Sequence, residues 1–415
     1  MNSSTSDDGA FGAAFSPRVL ALFLAARFSA ISAAQVLAVA VGWYVYALTG
    51  SAIDLGLIGL VQFLPTMGLA LPAGQIIDRY PRRYVLMAAV GVEGLCALAL
   101  AVLSTMDHVP VIAVFAIVAC YGAARAFEYP AFSSLLRSLV PAAEFPRAAA
   151  WSSMSNQSAF VLAPAMGGLL YVFGATVPFA VAVALLAMAA TSVFFLPASR
   201  RPASREPVTL RGVLSGLDFI FRNKVVLGAI SLDMFGVLFG GAVALLPIFA
   251  RDILAIGPLG MGLLRSAPAV GGLAVGLVLT RRPPRRHVGA TMLTAVAVFG
   301  AATIVFGLSD SAPLSFAALA VAGAADMVSV VIRSTLVQIW TPDAIRGRVS
   351  AVNSLFIGTS NQLGEFESGI TAAWFGPVGS VVLGGTATIL IVGFWCFGSP
   401  ALRKLDRLEG GAAKS

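Results

Sequence analysis

Charged side chains are scarce in this chain of 415 residues: they make up 11%, whereas hydrophobic residues make up 58%. A water-soluble domain carries about 25% charged residues. The scarcity therefore excludes a soluble globular enzyme, a disordered protein and a fibrous repeat. What remains is a chain that crosses a membrane several times.

Cysteine, histidine and lysine are also rare, and each shortage excludes a kind of site. The three cysteines lie in apolar runs without a CxxC spacing, and the two histidines lie in separate loops, so no metal or redox site is expected. No lysine follows a glycine-rich phosphate-binding loop, which excludes ATP hydrolysis. The sequence thus predicts no catalytic residues, no metal and no cofactor; the chain is not expected to be an enzyme.

Long apolar runs predict helices as the membrane-crossing elements. Barrel strands alternate apolar and polar residues over about ten positions, and these runs do not. Each run is long enough for a bilayer core, which takes about 20 helical residues. The twelve predicted spans are 18–48, 53–77, 84–104, 109–136, 147–172, 176–196, 225–249, 258–280, 287–308, 313–337, 348–373 and 378–398.

Basic residues predict the orientation of these spans. Nearly all of the 27 lysines and arginines fall in the even-to-odd loops and near the termini, whereas Arg251 is the only one in the opposite loops. This asymmetry places both termini in the cytoplasm. It also accounts for the net charge of +8, so no nucleic-acid partner is expected.

The two halves of the sequence are related. Gly59, Pro65 and Gly68 recur as Gly262, Pro268 and Gly271, and Gly122-Ala-Ala-Arg125 recurs as Gly323-Ala-Ala-Asp326. Such repeats are typical of secondary transporters built from two bundles. We therefore predict an all-α membrane protein of two pseudo-symmetric six-helix bundles: a tail over 1–17, bundles over 18–196 and 225–398, a linker over 197–224 with an amphipathic helix, and a tail over 399–415.

Several stretches resemble the major facilitator superfamily. Gly74–Arg83 is similar to its motif G-x-x-x-D-R-x-G-R-R, with Pro81 in place of the glycine, and Ala163-Pro164-Ala-Met-Gly167-Gly168 is similar to its antiporter motif, with Ala163 in place of a glycine. The stretches 245–254 and 341–366 resemble the enterobactin exporter branch, which is close to macrolide and multidrug carriers.

The resemblance implies a proton-coupled exporter that works by alternating access in a bacterial inner membrane. The proton gradient would supply the energy, the protein would act as a monomer in the lipid bilayer, and the substrate would be a small amphipathic or catecholate compound, in first place a siderophore such as enterobactin. A multidrug or macrolide antiporter is the close alternative. A lipid flippase or a non-transporting receptor is more distant.

The resemblance also implies two sets of structural residues. The cytoplasmic gate motif consists of Gly74, Asp78, Arg79, Arg82 and Arg83, and Asp78 is expected to meet the N-terminus of the eleventh span in one conformation. The antiporter-like motif in the fifth span, Pro164, Gly167 and Gly168, is either a simple kink or a bend used in exchange.

Ionisable residues inside spans are costly and therefore mark candidate functional sites. The candidates for substrate binding or proton coupling are Arg27, Arg125, Glu128, Asp233, Asp326, Arg333 and Glu365. Arg125 and Glu128 are spaced to pair within one helix, either as a structural ion pair or as part of a site. Phe127, Tyr129 and Phe132 are expected near Arg125, and Glu93 is as consistent with a structural role as with a functional one.

Overall fold

The computed structural model describes residues 17–141, 143–197, 210–282, 284–343 and 345–408. Within these ranges the chain forms helices and connections, and no strand occurs there. The helices are α1 Pro17–Thr49, α2 Ala52–Arg79, α3 Arg82–Leu103, α4 Val111–Leu139, α5 Phe145–Tyr171, α6 Thr176–Phe194, α7 Leu210–Arg222, α8 Lys224–Phe239, α9 Gly257–Arg281, α10 Val288–Leu308, α11 Ala312–Trp340, α12 Arg346–Gly398 and α13 Pro400–Arg403.

The helices supply twelve membrane crossings. Ten described stretches are long and apolar enough to span a bilayer, and α12 counts as one of them. However, α12 has 53 residues, and Gly376, with φ 75° and ψ 163°, breaks its helical geometry immediately before Pro377. The helix α5 is more polar, but its 27 residues reach about 40 Å. Dividing α12 and adding α5 gives twelve, which confirms the predicted all-α fold.

The span that begins with α8 is irregular. Asn223 caps it by accepting hydrogen bonds from two backbone N–H groups, and α8 then ends at Phe239. A Cβ on Gly241 would lie 2.9 Å from the carbonyl oxygen of Gly364, so only glycine fits at this position. A 3-10 turn, Ala242–Leu245, and a π-helical turn, Phe249–Ile253, complete the crossing. Irregular backbone at membrane depth is tolerated where protein or a cavity surrounds it.

Contacts divide the described chain into two compact units. The first runs up to Val41 and resumes from Val61 through α6, whereas the second comprises Gly42–Leu60 and the chain from α7 onward. The end of α1 and the start of α2 thus pack with the second half of the sequence, where a Cβ on Gly56 would lie 3.0 Å from the Cα of Gly369. The predicted bundles, 18–196 and 225–398, follow the sequence repeat rather than these contacts. Their boundaries stay a prediction.

The linker helix α7 packs through one side against other helices of the second unit. Ile220 is buried together with Val226, Val349 and Val352. Leu214 and Phe221 stay largely exposed on the other side of the helix. The remainder of the predicted linker, 198–209, and most of the two predicted tails, 1–16 and 409–415, lie outside the described residues.

Candidate functional site

A buried cluster of charged side chains lies in the second unit, where α8 packs against α11. Arg333 Nη2 lies 3.3 Å from Asp233 Oδ2, and Ser329 donates a hydrogen bond of 3.1 Å to Asp233 Oδ1. Arg333 Nη1 also donates to Asn353 Oδ1 at 3.2 Å. The side chains of the ion pair are only 4% and 5% exposed. Pairing keeps both charges tolerable in a site that water scarcely reaches.

Asp326 adds a second carboxylate to this cluster. It lies one helical turn before Ser329 on α11, and together with Asp233 and Gly236 it lines a small cavity. Two carboxylates therefore lie in this region with one guanidinium, that of Arg333, which is paired with Asp233 and can neutralise only one of them. The other carboxylate is most stable when it holds a proton, because a low-polarity site disfavours an unpaired charge.

In the first unit, Arg125 and Glu128 pair along α4. Arg125 Nη1 lies 2.5 Å from Glu128 Oε2, and the glutamate side chain is 4% exposed while the arginine is 30% exposed. The spacing of three residues brings both side chains to one face of the helix. The guanidinium is thus the more exposed member of the pair, and the carboxylate is the buried one.

Arg27 forms a separate polar and aromatic cluster. Its Nε donates a hydrogen bond of 2.7 Å to Asn156 Oδ1 on α5, and its guanidinium lies 5.7 Å from the Phe132 ring centre and 5.9 Å from that of Tyr129. Both rings belong to α4, and the Tyr129 side chain is largely exposed. Both rings were expected near Arg125; their cation–π contacts are with Arg27. A guanidinium beside aromatic rings suits a planar aromatic ligand.

Glu365 lies apart from these contacts, on α12. It interacts electrostatically with Arg265 of α9. A Cβ on Gly59 would lie 2.7 Å from Glu365 Oε2, so α2 leaves space for this carboxylate only because position 59 is glycine. Arg265 is therefore the charged neighbour that sequence reasoning did not assign to Glu365.

The arginines of the gate motif hold helix ends together within the first unit. Arg82 Nη1 donates to the carbonyl oxygen of Ser134 at 3.2 Å, and Arg83 Nη1 donates to that of Leu196 at 2.8 Å. Cations near the C-terminal ends of helices are favoured by the helix dipole. Asp78 and Arg79 are exposed, and among the described residues no heavy atom lies within 4 Å of a Cβ built on Gly74.

The antiporter-like motif brings α5 against α1. Pro164, Gly167 and Gly168 are all buried. A Cβ on Gly167 would lie 3.1 Å from the Cα of Val36, so a larger residue would push the two helices apart. The motif thus fixes the approach of α5 to the helix that carries Arg27.

Uncharged polar partners are the part of the site that sequence reasoning missed. Asn156, Ser329 and Asn353 each bond a charged candidate. The run Ser152–Ser158, which is polar within an otherwise apolar span, is a signal that could have identified Asn156. Tyr46 on α1 also donates a hydrogen bond to Asp252.

We expect the substitution Asp78→Asn to lower the transport rate about two- to fivefold, since a carboxylate at a helix N-terminus contributes ~0.5–1 kcal/mol. Membrane insertion should be normal because Asp78 is exposed. The measurement is initial transport rate per amount of protein in the membrane. Asp107→Asn, a change to another exposed acid, serves as the control. A wild-type rate for Asp78→Asn would reduce the motif to a topology signal.

A double-mutant cycle separates the two roles open to Arg125. Arg125→Ala leaves the buried Glu128 without its partner and should destabilise the protein by ~1–3 kcal/mol. Thermal unfolding in detergent and transport should be measured for Arg125→Ala, Glu128→Ala and the double variant. If Arg125 contacts substrate, the double variant regains stability but not transport. Recovery of both properties would leave only a structural ion pair.

Known proteins resemble this chain over nearly its whole length. A family model described as transmembrane secretion effector matches residues 12–412. The multidrug efflux pump Tap of Mycolicibacterium fortuitum is 28% identical over 93% of this chain and 97% of its own. The enterobactin exporter EntS of Escherichia coli O1:K1 is 26% identical over 90% of each chain.

Solved structures share the fold at lower identity. A bacterial homologue of the human lysosomal transporter Spinster, in an inward-facing and unoccupied conformation, superposes with a TM-score of 0.71 at 14% identity and covers 97% of both chains. A bacterial homologue of the iron transporter ferroportin gives a TM-score of 0.67 at 16% identity over 90% of this chain and 98% of its own. The chain therefore belongs to the transmembrane secretion effector family of the major facilitator superfamily, whose members are membrane transporters and not enzymes.

Proposed function

We propose that this protein is a proton-driven exporter of small amphipathic molecules that works by alternating access. The observation that carries the proposal is the cluster of Asp233, Asp326 and Arg333, in which Asp326 lines a small cavity beside the ion pair of Asp233 and Arg333. Such a group is neutral with one proton bound and carries one negative charge without it. Binding and release of that proton on opposite sides of a membrane would couple export to the proton gradient.

A catecholate siderophore of the enterobactin kind is the substrate that we favour. The supporting observation is the cluster around Arg27, which combines a guanidinium, the Asn156 amide and the rings of Tyr129 and Phe132. A catechol ring can stack on Tyr129, the exposed member of this cluster, whose Arg27 and Phe132 side chains are buried in this conformation. The resemblance to EntS points in the same direction.

An efflux carrier for amphipathic drugs is the second candidate. The similarity to Tap, which is 28% identical over 93% of this chain, favours it. The exposed Tyr129 ring would suit flat drug molecules as well as catechols. In either case we place the protein in a bacterial inner membrane as a monomer, with both termini in the cytoplasm and with the proton gradient as its energy source.

Transport in proteoliposomes tests the proposal. Purified protein is reconstituted without ATP, a pH gradient is imposed, and accumulation of enterobactin and of the dye ethidium is followed separately. We expect uphill accumulation of one compound that ends when a protonophore collapses the gradient. Preference for enterobactin supports the siderophore assignment, and preference for ethidium supports the drug assignment. Accumulation that ignores the pH gradient would contradict proton coupling.

A further inference from the structure

Glu93 on α3 is a buried acid that the proposed mechanism does not use. Its side chain is 0% exposed. Both carboxylate oxygens are buried, and neither has a hydrogen-bond partner among the residues that the structure describes. A carboxylate in such a place keeps a charge only at a cost of several kcal/mol, whereas the protonated acid avoids that cost. Burial without a hydrogen-bond partner therefore favours the protonated form of Glu93 in this conformation.

Among the described residues that interact with Glu93, one, Arg125, carries a positive charge. The helix α3 packs against α4 and α6. The residues of α4 that interact electrostatically with Glu93 are Glu128, Arg125 and Tyr121. Two thiols, those of Cys96 and Cys120, lie close by. The helix α6 carries no titratable side chain. Glu128 is already paired with Arg125 at 2.5 Å. Glu93 is therefore a second acid near the guanidinium of Arg125.

The two units thus contain the same set of charges. Asp233, Asp326 and Arg333 form it in the second unit, and Glu93, Glu128 and Arg125 form it in the first. The two sets do not occupy equivalent positions of the sequence repeat, because Arg125 corresponds to Asp326 in that repeat. In each set one acid is bonded to the arginine, and the other has no such bond among the described residues.

We propose that Glu93 is a second proton-binding site, so that the exporter exchanges two protons per cycle, one in each unit. This inference rests on the proposed proton coupling. The bond that changes is the O–H bond of Glu93: it breaks, the proton leaves for water, and the carboxylate remains. The guanidinium of Arg125, which is 30% exposed, then neutralises the new charge, and reprotonation from the other side restores the acid.

The slope of accumulation against the pH gradient tests the proposal. Membrane potential is clamped at zero, and the probe is enterobactin or ethidium, whichever the wild type accumulates. Each coupled proton contributes about a tenfold change in accumulation per pH unit, since ~1.4 kcal/mol corresponds to a factor of ten. We expect about hundredfold for the wild type and about tenfold for Glu93→Gln. Glu144→Gln, a change of a glutamate near the start of α5, should keep the wild-type slope.

An infrared measurement keeps the proposal testable if Glu93→Gln does not fold. The wild type should show the carbonyl band of a protonated carboxylic acid, and this band should shift in Glu93→Asp, which retains an acid and does not depend on the folding of Glu93→Gln. A wild-type slope in Glu93→Gln, or a band that Glu93→Asp leaves unmoved, overturns the assignment. A wild type that does not respond to the gradient at all contradicts the proposed function instead.

Discussion

Replacement of Arg333 by methionine is expected to destabilise the protein by ~3–5 kcal/mol, the cost of leaving one member of a buried ion pair without its partner. Asp233 would lose its counter-charge at 3.3 Å, and Asn353 would lose the N–H donor at 3.2 Å. Methionine fills a similar volume, so the missing charge dominates the effect. The measurement is thermal unfolding of the purified protein in detergent, together with its abundance in the membrane.

Two further variants make this result specific. Arg333→Met combined with Asp233→Asn removes both charges and should regain most of the lost stability. Arg222→Met breaks the pair between Arg222 and Asp218, whose side chains are 79% and 60% exposed, and should have little effect because exposed pairs contribute ~0–1 kcal/mol. Equal losses from Arg333→Met and Arg222→Met would show that burial of the Asp233 pair does not matter.

Substitution of Asp326 by asparagine is expected to remove one coupled proton and so to weaken uphill transport, while substrate binding and exchange stay intact. Asparagine has nearly the same shape, but it cannot carry a proton between the two sides of the membrane. At a gradient of one pH unit, accumulation should fall about tenfold, which is the contribution of one proton. The rate of exchange across vesicles without a gradient should stay near that of the wild type.

The control for Asp326 is an acid outside the cluster. Asp310, an exposed residue between α10 and α11, is replaced by asparagine in the same assay and should leave accumulation unchanged. If Asp326→Asn accumulates substrate as the wild type does, the proton carrier has to be sought at Asp233 or at Glu365 beside Arg265. If the variant loses exchange as well, Asp326 contributes to substrate binding or to the structure.

The fold could be predicted from the sequence because lipid leaves few alternatives. A bilayer admits only helices or closed barrels, so apolar runs of sufficient length determine both the element type and the count. Irregularities within the helices do not all follow from the apolar runs, because some depend on local contacts. The break at Gly240 and Gly241 depends on contact with distant residues such as Gly364, whereas the division at Gly376 follows the two predicted spans 348–373 and 378–398.

The candidate site could be predicted only in part. Charged residues in apolar spans identify Asp233, Asp326 and Arg333, because burial of charge is costly wherever it occurs. The choice of partners does not follow from that cost. Nothing in the apolar pattern indicates that Arg27 bonds Asn156 or that Asp233 bonds Arg333. Partner choice depends on helix rotation and on short polar residues, which periodicity alone does not reveal.

The pH change that accompanies downhill substrate movement tests the central claim most directly. Proteoliposomes are loaded with substrate and a pH-sensitive dye, no pH gradient is imposed, and dilution starts substrate efflux. A proton-coupled exporter should acidify the vesicle interior as substrate leaves, and Asp326→Asn should acidify it less for the same efflux. Substrate efflux from wild-type vesicles without any change of internal pH would contradict proton coupling.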